Sequence, residues 1–453
     1  MKLKKVSAFV LVLFCAVSLF AQKTPAKNVI LIIGDGMGPE HIGMLAQYAK
    51  YAPHPYFSDR KSNIEKYLDK ATMGLTLTST KGTLVTDSAC SGTQISTGYY
   101  SLPGVIGMDW EGSAQTTILE KAKARGKSTG LVTDVYLQDA TPASFAAHRP
   151  NRSQRDEIAQ DMLNTGVDVM IGGGLKYFRP LLDNFKKEGY TVALTRGEFN
   201  NAPVTKGSKL LGLFGESEMP YVIENNTQVP ASKEMAAKAL KILSQNENGF
   251  FLMFEGGKID WASHANDTAA MFKEMLAFDD AVGYIMKWAQ ENPGTLVVLT
   301  ADHDTGGFGF QYSYLKGGNL ERAKNSGEVL YGSGDTYYVN PVVFDKLLQQ
   351  KGLFFQAAEK YNALSGMKKN KKNLAKILEE LTGAPVPKDV YAHCKDMDCV
   401  RDSYNRSLGI VWSSLNHTSN PVVAAAYGPG QENFNGLYHT TDLNKKINKA
   451  FGQ

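Results

Sequence analysis

Six short apolar runs punctuate the chain, at residues 29–33, 130–133, 167–171, 250–254, 296–300 and 422–427, each followed by polar or glycine-rich residues. Their hydrophobicity is continuous rather than alternating, which predicts strands buried on both faces. Helical patterns lie between them. The longest, over 267–289, places Met271, Met275, Phe278, Val282 and Ile285 on one apolar stripe at spacings of three and four; a shorter one covers 116–124. Helices alternating with buried strands predict an α/β fold, a largely parallel central sheet with helices on both faces in a three-layer sandwich.

Acids fall where these strands should end. Asp35 closes the first run, Glu255 the fourth, and Asp302-His303 the fifth. Ligands in open α/β sheets collect beyond the carboxyl ends of the strands. A buried strand that ends in a carboxylate needs something to neutralise it, so several such ends together predict a site for cations.

The amino terminus changes the picture of where the protein works. Lys2, Lys4 and Lys5 precede an uncharged apolar run over 6–20 and then Ala21-Gln22. This reads as a secretory leader over 1–21, too short and wrongly flanked for a membrane anchor, and it places the protein in the periplasm or outside the cell. Its removal takes three lysines and no acids and brings the formal charge from +4 to +1, a balance that points to no nucleic-acid or membrane-surface partner. Residues 22–453 read as one catalytic domain with an insertion at about 311–411 that precedes the last apolar strand. Within the insertion, 368–372 reads as a solvated helix entry and 373–381 as an amphipathic helix. Cys394 and Cys399 close a short loop, a local disulfide in an exported protein; the rival reading, half of a zinc site with His393, lacks a second Cys/His pair. Cys90 reads as a small buried filler.

Candidate chemistry begins with Ser88, a possible nucleophile at a helix start in Thr86-Asp87-Ser88-Ala89. Asp260 and His264, four apart, share one face if that segment is helical. Singly, such pairs are common surface features. Together Asp35, Asp260, His264, Asp302, His303 and His417 offer a mixed oxygen and nitrogen set suited to zinc. Glu255, Asp35 and Thr141 offer the all-oxygen ligation that suits magnesium. Two-metal phosphoryl chemistry uses an array of this kind.

The same blocks, taken in order, carry a resemblance. Gly34-Asp35-Gly36-Met37-Gly38, Thr86-Asp87-Ser88-Ala89, Gln138-Asp139-Ala140-Thr141-Pro142 through Arg152, Glu255 through Asp260 and His264, Thr300-Ala301-Asp302-His303 and the late His417 span nearly the whole chain after the leader. In this the chain resembles the alkaline phosphatases. The resemblance implies hydrolysis of phosphate monoesters through a phosphoserine at Ser88, with Arg152 gripping two phosphate oxygens and Asp87 orienting Arg152. It implies two zinc ions, one on Asp260, His264 and His417 and one on Asp35, Asp302 and His303. It implies one magnesium on Asp35, Thr141 and Glu255, with Asp139 beside it. It further implies small monoester substrates and a homodimer. Trp261 departs from members that carry lysine or histidine there, and an uncharged ring should hold phosphate less electrostatically.

Rival readings are a phosphodiesterase or sulfatase of the same superfamily and a metal-bound phosphate-binding protein without turnover. A sulfatase would need a Cys-x-Pro-x-Arg setting that Ser88-Ala89-Cys90 lacks, and a diesterase has less use for an arginine clamp on two free oxygens. Gly126-Lys127-Ser128 lacks the first glycine of a phosphate-binding loop and reads as a turn; Gly172-Gly173-Gly174 reads as a strand exit. His148 is expected to hydrogen-bond within the scaffold near Arg152, and His41, His54 and His439 to be surface or loop residues.

Overall fold

The computed structural model describes residues 25–311, 313–314, 336–337 and 339–452, so the leader lies outside the described residues. The main sheet is built from β1 (Asn28–Gly34), β2 (Thr72–Leu77), β3 (Ser128–Tyr136), β4 (Val169–Gly173), β5 (Tyr190–Ala193), β6 (Lys209–Leu213), β7 (Phe250–Gly256), β8 (Thr295–Thr300), β9 (Val422–Tyr427) and β10 (Gly436–His439). Across the sheet the order is β10-β2-β9-β8-β1-β7-β3-β4-β6-β5. Only β9 runs antiparallel to its neighbours. The first strand of the chain is therefore central, flanked in register by β7 and β8, with Ile33 opposite both Glu255 and Thr300.

Alternation along each central strand feeds two cores. Ile30 and Ile32 of β1 join Phe250, Leu252 and Phe254 of β7 on one face, and Val29, Leu31 and Ile33 join Phe251 and Met253 on the other. With both faces covered the middle of each strand carries only apolar side chains and the polar ones fall at the ends, which is why the sequence reads as unbroken apolar runs.

Four helices position the site: α1 (Pro39–Tyr51), α2 (Ser88–Thr97), α3 (Lys258–His264) and α4 (Thr268–Glu291). In α4 the expected stripe is buried, and Asp267 caps the helix by accepting from Ala270 N at 3.2 Å. Beyond β8 the chain enters a short antiparallel ladder in which Phe308, Gly309 and Phe310 pair with Trp412, Val411 and Ile410. This ladder brackets the segment in between, whose described part is helical from Val343–Gln349 to Met397–Ser407 and carries the Cys394–Cys399 disulfide. Lys371, in the expected basic run, donates to the carbonyls of Tyr391 and Cys394 at 3.0 and 2.7 Å. No helix among the described residues is long and apolar enough to cross a membrane.

Candidate active site

Residues past the carboxyl ends of β8, β1, β7 and β3, four neighbours in the sheet, meet in one place. Asp35 directly follows β1 in a turn that depends on Gly36, whose φ is 66°. A Cβ there would meet Thr305 Oγ1 at 2.7 Å and Asp260 Oδ1 at 2.8 Å, so this glycine lets two segments of the site close in. Asp302 and His303 stand just past β8, and Asp139 and Thr141 just past β3. Asp260, Trp261 and His264 ride on α3, whose entry is fixed by Asp134 of β3: its Oδ1 accepts from Gly257 N at 2.7 Å and Lys258 N at 3.1 Å.

Ser88 opens α2. Asp87 caps it, accepting from Cys90 N at 3.0 Å. Small side chains let the helix sink until every residue is buried; a Cβ on Gly92 would lie 2.9 Å from Ser144 Oγ.

Two donor sets lie beside Ser88. In the first, ligand atoms of Asp35, Asp302 and His303 fall within 4.8 Å of one another. His303 Nε2 is 3.1 Å from Asp302 Oδ2, 3.4 Å from Asp35 Oδ1 and 3.1 Å from Ser88 Oγ. A Ser-His-Asp relay places serine and carboxylate on opposite ring nitrogens. Here all three crowd one nitrogen while Nδ1 faces Thr305 Oγ1 at 3.2 Å, an arrangement that converges on a point instead of relaying a proton.

The second set is Asp260, His264 and His417. Carbonyl oxygens of Leu415 and Thr86 lie 2.5 and 2.8 Å from Nδ1 of His264 and His417. Carbonyls only accept, so the ring protons belong on Nδ1 and the Nε2 lone pairs point inward, the support that metal-ligating histidines receive. Those two Nε2 atoms are 3.0 Å apart, and like lone pairs at that distance repel unless a cation lies between them.

Between and below these sets, Thr141 Oγ1 donates to Asp35 Oδ2 at 3.3 Å. Both oxygens of Glu255 and Oδ1 of Asp35 have no hydrogen-bond partner although they are buried. Burial, reinforced by neighbouring carboxylates, pushes both acids well above the usual carboxylate range: Asp302, Asp260 and Glu255 act on Asp35, and Asp139, Asp134 and Asp302 on Glu255. Burial acts the same way on Asp302, but the facing His303 ring outweighs it and holds that carboxyl down to about 2. Buried carboxylate oxygens without donors, next to inward-facing imidazole lone pairs, fit divalent cations.

Arg152 is tied to the residue next to Ser88. Its Nη1 lies 3.2 Å from Asp87 Oδ2 and its Nη2 3.0 Å from Asp139 Oδ1. Burial favours loss of its proton, but these two carboxylates more than compensate and keep the guanidinium charged. Trp261 is half-buried, its ring 5.9 Å edge-on from that of Tyr136.

The candidate metal ligands thus fall into two clusters, with Thr141 bonded to Asp35, while Trp261 packs against Tyr136. The alkaline phosphatase family model matches residues 26–452. The chain belongs to the alkaline phosphatase family. Alkaline phosphatase 4 of Bacillus subtilis is 31% identical over 93% of this chain and 88% of its own length. The Escherichia coli alkaline phosphatase is 33% identical over 62% of this chain and 70% of its own. Among solved structures, the Thermus thermophilus alkaline phosphatase superposes with a TM-score of 0.78 at 26% identity, covering 98% of this chain and 96% of that one. A mutant of the TAB5 alkaline phosphatase, solved with magnesium bound, reaches 0.68 at 27%, covering 95% and 99%. The present phosphatase is a phosphomonoester hydrolase on the strength of that membership.

Sequence reasoning missed two hydroxyls of this phosphatase. Thr305 Oγ1 donates to Asp260 Oδ1 at 2.5 Å while facing His303 Nδ1, which ties the two donor sets together, and Ser91 Oγ lies 3.3 Å from Asp302 Oδ2. Thr305 follows Asp302-His303-Asp304 directly, and that adjacency was the available signal. The expected surface role of His41 is corrected: α1 buries it completely against Phe308 and Trp412, with Nε2 3.1 Å from Ser263 Oγ. His439 is half-buried as well, accepting from Thr441 N at the start of the last helix. His148 bonds within the scaffold as expected.

Proposed function

We propose that the phosphatase acts by two in-line displacements through a phosphoserine at Ser88. The carrying observation is that Ser88 Oγ stands 3.1 Å from His303 Nε2, at one donor set, and directly follows Asp87, which with Asp139 holds Arg152. In the first step Ser88 Oγ bonds to phosphorus, its proton passes to solvent, the bond to the alcohol oxygen breaks and the alcohol leaves protonated. In the second, water attacks phosphorus, the Oγ–P bond breaks, and Ser88 regains a proton as inorganic phosphate leaves. Arg152 grips two non-bridging oxygens with its planar fork, and Asp87 and Asp139 aim it. The N-terminal amides of α2 face the phosphate and add positive potential.

One zinc would be held by Asp260, His264 and His417 and another by Asp35, Asp302 and His303. A magnesium would be held by Asp35, Thr141 and Glu255 with Asp139 nearby. When bound, these ions supply the charge that favours ionised oxygens near neutral pH. Trp261 contributes a neutral rim to the phosphate site. Export to the periplasm or medium follows from the leader. A homodimer is supported by an exposed apolar strip on the face of the last two strands of the sheet, Met73, Leu75 and Leu77 of β2 and Leu437 of β10.

Ser88→Ala tests the reading: it should lose most turnover of an aryl monoester while retaining its metal content. In the same assay the unmodified enzyme should hydrolyse the monoester faster than its methyl diester. Faster diester turnover, or an active Ser88→Ala protein, would sink the proposal.

A further inference from the structure

His148 lies outside the donor sets, yet its surroundings tie it to the phosphate site. Its Nδ1 is 2.7 Å from the carbonyl oxygen of Gly107 and its Nε2 2.9 Å from Glu120 Oε1. Both partners can only accept, so both ring nitrogens carry protons and the ring is an imidazolium. The Glu120 carboxylate accounts for most of this and shifts the imidazole pKa upward, against burial, with the Gly107 carbonyl and Asp161 assisting.

The acceptor at Nδ1 belongs to loop 104–107, and that loop touches both halves of the catalytic centre. Gly107 N donates to Thr93 Oγ1 of α2 at 2.9 Å, and Gly104 N donates to Asp87 Oδ2 at 3.0 Å. On the other side Gly104 O accepts from Arg152 N at 2.8 Å, and Ile106 and Arg149 exchange two backbone hydrogen bonds of 2.8 Å each. The approach is close: a Cβ on Gly107, at φ 62°, would sit 2.1 Å from Ala147 O. Other charged groups near the ring are Asp161, whose Oδ2 accepts from His148 N at 3.5 Å, and Arg149, which is held by Asp161 at 2.7 and 2.5 Å.

We propose that His148 is a positioning residue for phosphate: its imidazolium fastens loop 104–107 to the Arg152 segment and so sets Arg152 over Ser88, and alkaline pH loosens this latch. A neutral ring has one N–H for two acceptors. The charged carboxylate of Glu120 keeps it and the Gly107 carbonyl loses its donor. Phosphate, product as well as part of the substrate, is then held less tightly as the pH rises.

The test rests on the monoesterase reading, which the unmodified enzyme checks in the same assay by releasing phosphate from an aryl monoester. The readouts are the inhibition constant of inorganic phosphate and the KM and kcat of the holoenzyme, near pH 7 and near pH 9. An Asn amide can replace Nδ1 and keep the bond to Gly107, whereas a Gln amide replaces Nε2 and keeps only the bond to Glu120. His148→Gln should raise the phosphate inhibition constant and KM about tenfold near neutral pH with kcat changed less, as expected for loss of a charge-assisted bond. His148→Asn should stay within about threefold of the unmodified enzyme near neutral pH. The unmodified enzyme should drift toward the Gln values at the higher pH, and the ratio between the two variants should stay flat. Glu120→Gln, whose amide can donate to Nε2 and leave the single ring proton on Nδ1 facing Gly107, should keep the neutral-pH constants at both pH values and so abolish the drift. If Asn and Gln variants behave alike, or only the melting temperature moves, His148 is part of the scaffold and the proposal falls.

Discussion

Glu255→Gln isolates the role of charge at the centre of the site. The side chain is 1% exposed, both oxygens lack a partner, and Asp139, Asp134 and Asp302 lie around it. In chelated protein the amide replaces a buried carboxyl that burial and its acidic neighbours force away from its ordinary ionised form, a relief of about 2–3 kcal/mol. In protein saturated with magnesium it removes an anionic ligand, and the linkage stabilisation of about 2.7 kcal/mol expected at a hundredfold excess over Kd is largely lost. Unfolding entropy for a chain of 453 residues is about 0.9 kcal/mol per degree, so each effect shifts Tm by about 3 °C, in opposite directions. Scanning calorimetry in EDTA and in saturating magnesium reads both: Glu255→Gln should melt above the unmodified protein in EDTA and below it with magnesium. A variant that melts lower in EDTA, or that gains as much from magnesium as the parent, would refute the assignment of Glu255 to a cation.

Two further outcomes test the scaffold. His41 is buried and neutral, with burial lowering its pKa to about 4. Its contribution is present above the unfolded value of about 6.5 and is lost as pH falls toward 4, up to about 3 kcal/mol in all; urea titrations across that window should show the loss in the parent and a flatter profile in His41→Gln. Reducing Cys394–Cys399, which closes a loop with a sequence separation of 5, should cost the bracketed segment about 2 kcal/mol by chain entropy. Steady-state turnover should remain nearly unchanged; a large loss would mean that this segment supports the site directly.

The central sheet was legible because burial on both faces writes itself as uninterrupted apolar runs, as in β1, β7 and β8. The flanks were not. In β2 the apolar residues Met73, Leu75 and Leu77 point outward and Gly74 and Thr76 inward, so its pattern gives no core signal. In β5, four residues long at the sheet edge, only the ends are buried. Among site residues, the strand-end acids and the Asp260–His264 pair were legible from position and spacing. The ion pair between Asp139 and Arg152 was not, because it depends on how the chain turns between them. Thr305 escaped because a hydroxyl that joins two donor sets has no meaning until the strands bring those sets together. His41 was misread because one histidine on a helix gives no sign of which face is covered.

The central place of the first strand has a consequence in time. Asp35 emerges early from the ribosome, but the donors it needs arrive from Glu255, Asp302 and finally His417, which reaches the site on a two-residue bridge pairing it with Thr305. β9, which lies against β8, comes later still. Nascent chains therefore carry an acidic, incomplete basin until almost the last residues have been made. Capture of metal by these donors can therefore only be a closing event in maturation, after the last of them has been made and the sheet has closed around them.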